Sequence, residues 1–193
     1  MIAASCVYWS LPEPLSVGPG WLLFAVIFVL LIPIAVAHRG GYMEVARILT
    51  FAANGAITLA MVASLAFLIA GIPKHRDPPT TLLRAAIALW FTNILVFALW
   101  YWKLDAGGPT GRERAAGNID SSFAFPQMVV PDCDAHWSPT FVDYLFLAFN
   151  TSTAFSPTDT SVLSRWAKLV MMAQSLISLT IVALLAARAV NIL

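Results

Sequence analysis

Charge is scarce in this sequence. Lysine and arginine together number 11 and aspartate and glutamate 10 among 193 residues, so 11% of the chain is charged. A soluble domain carries about 25%. The net charge of +1 provides no electrostatic basis for holding nucleic acid, which is excluded as a partner. Two cysteines, Cys6 and Cys133, are too few and too far apart for a disulfide framework or a zinc site. They are expected to be unbonded to each other, because three membrane crossings separate them. The three histidines, His38, His75 and His136, fall in different loops and form no ligand cluster. No nucleophile–base pairing or phosphate-binding loop occurs, so the expectation is a non-enzyme without cofactor or metal. The first twelve residues lack a basic region ahead of an apolar run, and so do not read as a secretory signal. They read as an interfacial tail or the remnant of a further apolar segment.

What is abundant is apolar: 60% of the residues. A membrane-crossing helix needs about 20 of them in a row. Trp21–Ala37 is the first such stretch, interrupted only by Pro33 and ended by His38-Arg39-Gly40-Gly41. Ile48–Ile72 is the second, followed by Pro73-Lys74-His75-Arg76-Asp77-Pro78-Pro79, which no membrane helix contains. Leu82–Trp102 is the third, with Arg84 near one end, and Leu163–Ile192 the fourth. Asn54 and Asn93 inside these spans are expected to hydrogen-bond between helices. Arg188, near the end of the last span, suits the helix dipole there and can reach the membrane surface. The fold class is therefore an all-α, multi-pass membrane protein, expected in the inner (plasma) membrane with the lipid bilayer as its surroundings.

Between the third and fourth spans the pattern changes. Residues 103–137 hold Gly107-Gly108-Pro109, Arg112-Glu113-Arg114, Pro126 and Pro131, a loop outside the hydrocarbon. Phe123, Phe125 and Met128 predict that part of it packs on the protein. Trp100, Tyr101, Trp102, Trp137 and Trp166 all fall at one membrane boundary, as an aromatic belt does. Ser138-Pro139 reads as a helix start, serine as N-cap and proline at the first helical position. The helix 139–150 that follows would be about 18 Å long, too short to cross. The polar stretch 151–160 comes next. Irregular backbone at membrane depth is tolerated only when buried in protein or lining a watery cavity. The expectation is a re-entrant hairpin, with Thr151, Thr153, Ser156, Thr158 and Asp159 as pore or filter candidates. Gln174 and Ser178, four apart on the last helix, either line a cavity or bond to neighbouring helices. Asp143 suits either the dipole of the short helix or a functional role. Asp159 is either a rim charge or a cap and partner for Arg165 or Lys168.

Tyr144–Asp159, YLFLAFNTSTAFSPTD, resembles the pore helix and filter of the tetrameric pore-loop cation channels, whose potassium members read approximately YFSxxTxTTVGYGD. Thr151, Thr153 and Asp159 stand at the first threonine, second threonine and terminal aspartate of that motif. The resemblance implies a pore-domain-like unit over 81–193, preceded by a tail and two spans over 1–80. Within that unit, 82–102 would be the outer helix and 163–192 the inner one. It also implies a homo-oligomer, a tetramer, passing inorganic cations. Phe155-Ser156-Pro157-Thr158 replaces V-G-Y-G, and proline fixes φ while removing an N–H, so a wide, weakly selective pathway is expected. The chain also resembles an uncharacterised family of small bacterial membrane proteins, through FALWYW at Phe97, DAGGP at Asp105, FPQ at Phe125, FVDYL at Phe141, AFSPTDT at Ala154 and ARAVNIL at Ala187. The alternative reading is an accessory membrane protein whose hairpin is a buried packing element. Counting cations, Lys74, Arg76, Arg84 and Arg188 fall on one side, and Arg39, Arg47, Lys103, Arg112, Arg114, Arg165 and Lys168 on the other. The positive-inside tendency then puts the hairpin's side in the cytoplasm, whereas pore-loop channels carry it outside.

Overall fold

The computed structural model describes residues 1–9, 19–71, 78–114, 121–129, 137–157 and 159–190. The chain is helical along most of that length. Its elements are α1 (Ile2–Trp9), α2 (Gly20–Arg39), α3 (Met43–Gly71), α4 (Pro79–Leu104), α5 (Pro109–Arg114), β1 (Phe123–Ala124), α6 (Pro126–Val129), α7 (Phe141–Thr153), β2 (Ser161–Val162) and α8 (Arg165–Val190). Four stretches are long and apolar enough to cross a membrane: Trp21–Arg39, Met43–Gly71, Thr80–Gly107 and Arg165–Ala187. The third and fourth expected spans thus correspond to α4 and α8. α3 begins five residues earlier than expected and α4 three residues earlier. Pro79 sits at the first position of α4, where a missing N–H costs nothing. Pro33 lies inside α2.

Two compact units emerge: Met1–Val96 with Thr180–Leu193, and Phe97–Leu179. In the first, α1 packs on α2 and α3. Residues 1–12 read as an interfacial tail or the remnant of a further apolar segment; of these, residues 1–9 are described, and Ile2–Trp9 form a helix. Ala4 and Tyr8 are buried, and the Tyr8 hydroxyl lies 2.7 Å from Ser64 Oγ of α3. A tyrosine with a hydrogen-bond partner deep in a helix pair anchors well, which an apolar tail could not do. The buried face of α3 carries Ala46, Ala53, Asn54, Ile57, Met61, Ser64, Leu65 and Leu68, spaced for one side of a helix. Alanine dominates these packed surfaces, with Ala53, Ala85 and Ala86 all buried. Between helices in lipid no hydrophobic force distinguishes neighbour from solvent, so close approach through small residues supplies the attraction. The opposite side of α2 exposes Trp21, Phe28, Val29, Ile32 and Val36, a continuous apolar surface that water would not tolerate and a bilayer does.

Asn54 departs from its expected role. It is fully buried, yet neither atom of its amide has a hydrogen-bond partner. An amide held away from water without a partner costs about 1–3 kcal/mol. Asn54→Ala is therefore expected to raise the thermal midpoint of the protein in detergent, by the equivalent of about 1 kcal/mol. A lowered midpoint would mean that the amide is satisfied in the native membrane.

The second unit is built around Phe123. Its ring is fully buried and meets Tyr101, Tyr144 and Trp166 at centroid distances of 5.3, 6.2 and 6.0 Å, all near edge-to-face. Phe125 packs on Tyr144 and Trp137 in turn. Of the aromatics expected at one membrane boundary, Tyr101 and Trp166 pack on Phe123, Trp137 on Phe125 and Trp102 on Phe141. Edge-to-face geometry suits rings with negative faces and positive rims. Phe123 and Phe125 pack on the protein as expected, whereas Met128 is exposed.

Candidate pore-loop hairpin

α7 begins at Phe141 rather than at Pro139, and its N-cap is Thr140 rather than Ser138. Asp143 decides this. It stands three residues after Thr140, and its Oδ2 accepts from the Thr140 N–H at 2.7 Å and the Thr140 hydroxyl at 2.8 Å. That is a capping box with aspartate in the reciprocal place. The helix also runs three residues further than expected, through Thr153. The hydroxyls of Thr151 and Thr153 donate to the carbonyls of Leu147 and Phe149, four residues back, at 2.8 and 2.9 Å. Polar residues that bond backwards in this way continue a helix instead of opening a strand.

Beyond Thr153 the chain turns sharply. Ala154 is the C-cap, donating its N–H to Asn150 O, and Phe155 follows at φ 53°. This is the left-handed position that usually ends a helix on glycine. A bulky side chain there carries backbone strain. The Phe155 side chain is exposed, Ser156 is half-buried, Asp159 is exposed, and Thr158 lies outside the described residues. The segment then reaches β2, which pairs antiparallel with β1 in the register Phe123↔Val162. α8 starts after Ser164, whose hydroxyl accepts from the Ala167 N–H.

The contacts fix the direction of each piece. Tyr144, in the first turn of α7, meets Phe123, which also meets Trp166 in the first turn of α8. Ser152, in the last turn of α7, lies beside Gln174 and Ser178, two to four turns into α8. α7 and α8 therefore run in the same direction, and β2, which follows α7 in sequence, pairs with β1 beside the end where α7 starts. α4 runs the opposite way: Tyr101 reaches Gln174, whereas Asp105, one turn later, reaches Tyr144.

Two buried clusters hold the hairpin. At the far end, Gln174 Nε2 donates to Ala148 O at 2.8 Å and to Ser152 Oγ at 2.9 Å, and its Oε1 accepts from the Tyr101 hydroxyl. Ser178 Oγ donates to Ser152 O at 2.7 Å. Gln174, Ser178, Ser152 and Thr151 are all buried. Of the two uses foreseen for Gln174 and Ser178, bonding to a neighbouring helix is the one they have. Ser178 serves one of the carbonyls that α7 leaves unsatisfied at its C-terminus, Ser152 O.

At the near end the centre is Asp105. It is fully buried, and its carboxylate accepts three hydrogen bonds: from the Ser122 N–H at 2.6 Å, the Ser121 hydroxyl at 2.8 Å and the Tyr144 hydroxyl at 2.6 Å. Burial first, and the Asp105 carboxylate second, push the Tyr144 phenol well above its ordinary range, so it stays a donor. Arg112, also buried, donates from Nη1 to the carbonyls of Trp102 and Asp105 at 3.0 and 2.9 Å. Its guanidinium lies 5.1 Å from the Tyr144 ring centre. A cation on the last carbonyls of α4 is favoured by the helix dipole. The turn that delivers Arg112 needs glycine. Gly107 and Gly108 have φ of 75° and 81°, and a Cβ at Gly111 would strike the Ala106 carbonyl oxygen.

Of the candidates from the sequence, Thr151, Gln174 and Ser178 are brought together in the far cluster. Thr153 and Asp159 stand on the exposed side. Asp105, Arg112, Tyr144 and Tyr101 were not foreseen as site residues. The signals were the acidic residue at the very end of an apolar helix, where the dipole disfavours it, and the Gly-Gly pair after it. No family model matches the chain, and no curated protein or solved structure matches it either.

Proposed function

We propose that this chain is one subunit of a homo-oligomeric membrane protein that lets cations pass along the re-entrant hairpin of α7 and residues 154–160. The observation that supports the reading is the parallel course of α7 and α8, with β2 back beside the start of α7 and hydrogen bonds holding α7 at both ends. A helix too short to cross, followed by a return to the same side, is the pattern by which re-entrant elements reach membrane depth. Those bonds leave Thr153, Phe155 and Asp159 on the exposed side, where copies meeting at an axis would frame a pathway. With Phe155-Ser156-Pro157 in place of glycines, the backbone carbonyls do not line up as in a potassium filter, so selectivity rests on the Asp159 charge. The protein would sit in the inner membrane, act without a cofactor and catalyse no reaction.

The accessory-protein reading is favoured by a different observation. Thr151, Gln174 and Ser178 all use their polar groups inside the protein, and the Thr153 hydroxyl bonds within its own helix, as a packing element would. Planar-bilayer recordings separate the two. Under a salt gradient the wild type is expected to show a cation-selective reversal potential that moves toward zero in Asp159→Asn. An unchanged potential removes Asp159 as the selectivity charge, and absence of current in every lipid and voltage leaves the accessory role.

A further inference from the structure

The first turn of α8 presents Arg165 and Lys168 to the exterior, with no acidic residue in that turn. Continuing down the same side at intervals of three and four residues come Leu169, Met172, Leu176 and Leu179, exposed by 65, 60, 63 and 51%. The helix is a candidate membrane span from Arg165 onward, which puts the two cations at the membrane surface and the four apolar side chains below them. From Lys168 to Leu179 the helix rises about 16 Å, close to one leaflet of a hydrocarbon core of about 30 Å.

We infer that this stripe is a docking surface for an anionic glycerophospholipid. Arg165 and Lys168 hold the phosphate, and an acyl chain lies along Leu169, Met172, Leu176 and Leu179. Charge and order both select this occupant. An ammonium and a guanidinium attract a phosphate diester, with arginine able to bond two of its oxygens at once. The change from basic to apolar along a single exposed face matches a headgroup followed by its chain. A second copy of the protein fits less well, because lysine is depleted where protein meets protein. The inference depends on α8 crossing the membrane and not on conduction.

Purified full-length protein in a neutral detergent provides the test. Dioleoyl-phosphatidylglycerol or dioleoyl-phosphatidylcholine is titrated in, and lipid retained is counted by native mass spectrometry alongside the thermal midpoint. The expected result is retention of phosphatidylglycerol with a raised midpoint, and neither effect from phosphatidylcholine. Two interfacial cations contribute about a thirty-fold preference together. The double change Arg165→Gln with Lys168→Gln should therefore weaken phosphatidylglycerol retention by roughly that factor and leave the lipid-free midpoint unchanged. Arg165→Lys with Lys168→Arg keeps both charges and should retain the lipid, which separates loss of charge from loss of fold. Equal retention of the two lipids by the wild type overturns the inference. So does a full midpoint rise from inorganic phosphate alone, which would make the site one for free anions. A smaller particle mass for the glutamine double variant in lipid-free detergent also overturns it, because the stripe would then be a contact between copies.

Discussion

Asp105→Ala is expected to lower the stability of the protein by about 2–5 kcal/mol, from stranding two buried donors at about 1–3 kcal/mol each. Two donors lose their acceptor at once, the Ser122 N–H and the Tyr144 hydroxyl, while the Ser121 hydroxyl keeps Phe123 O as an acceptor. Arg112 keeps its bonds to the backbone carbonyls of Trp102 and Asp105. Asp105→Asn is close in shape but offers N–H groups where the site already supplies donors, so it should recover only a small part of the loss. Tyr144→Phe removes a single bond and leaves two on the carboxylate, and is expected to cost about 1–2 kcal/mol. Thermal unfolding in detergent, followed by tryptophan fluorescence, orders the three. If Asp105→Asn matches the wild type, the carboxylate is not what fastens loop 103–137 to α7.

The second large effect belongs to Gln174. Gln174→Leu keeps most of the volume and removes three hydrogen bonds linking α4, α7 and α8. Single hydrogen bonds between membrane helices are worth about 0.6 kcal/mol, with about 1.7 at the upper end, so a loss of about 2 kcal/mol is expected. Part of that loss is the stranded Tyr101 hydroxyl. The double variant Tyr101→Phe with Gln174→Leu should therefore be less destabilised than the sum of the two single variants, by about 1 kcal/mol. Strict additivity in that cycle would mean that the two side chains are not coupled. Ser178→Ala, which loses one bond to Ser152 O, serves as the small-effect reference.

The four long helices were legible because the bilayer imposes one rule on all of them: an uninterrupted apolar length. Their ends were less so. Ser138-Pro139 has the chemistry of a helix start, but the carboxylate of Asp143 is in register with Thr140, and reciprocal bonding outweighs a lone serine. Thr151 and Thr153 read as the start of the polar stretch after the helix; they lie inside α7, and their hydroxyls bond the carbonyls of Leu147 and Phe149. The aromatic residues were placed at the correct end of the helices but assigned the wrong neighbour. Composition shows that Trp and Tyr collect at a boundary, not that they pack on a phenylalanine from the loop. The clusters themselves were out of reach. Asp105 finds its partners 16, 17 and 39 residues away, and Gln174 bonds across 26 and 73. Periodicity reports which face of one helix is apolar. It carries no information about which distant side chain will meet a given carboxylate.

The fastening of α7 bears on the order in which the chain is made. α7 has 13 residues and is too short to be inserted as a crossing on its own account. Its near end can be secured as soon as it leaves the ribosome, since Asp105, Arg112, Ser121 and Ser122 have already been synthesised. Its far end cannot: Gln174 and Ser178 come later by 26 residues for each of their bonds to Ala148 and Ser152. The short helix must therefore wait, held by one end, until α8 emerges and threads past it. Truncation of the nascent chain before Gln174 should leave the stretch around Ser152 open to a water-soluble thiol reagent, through a cysteine placed at Ser152, and extension through Ser178 should close it.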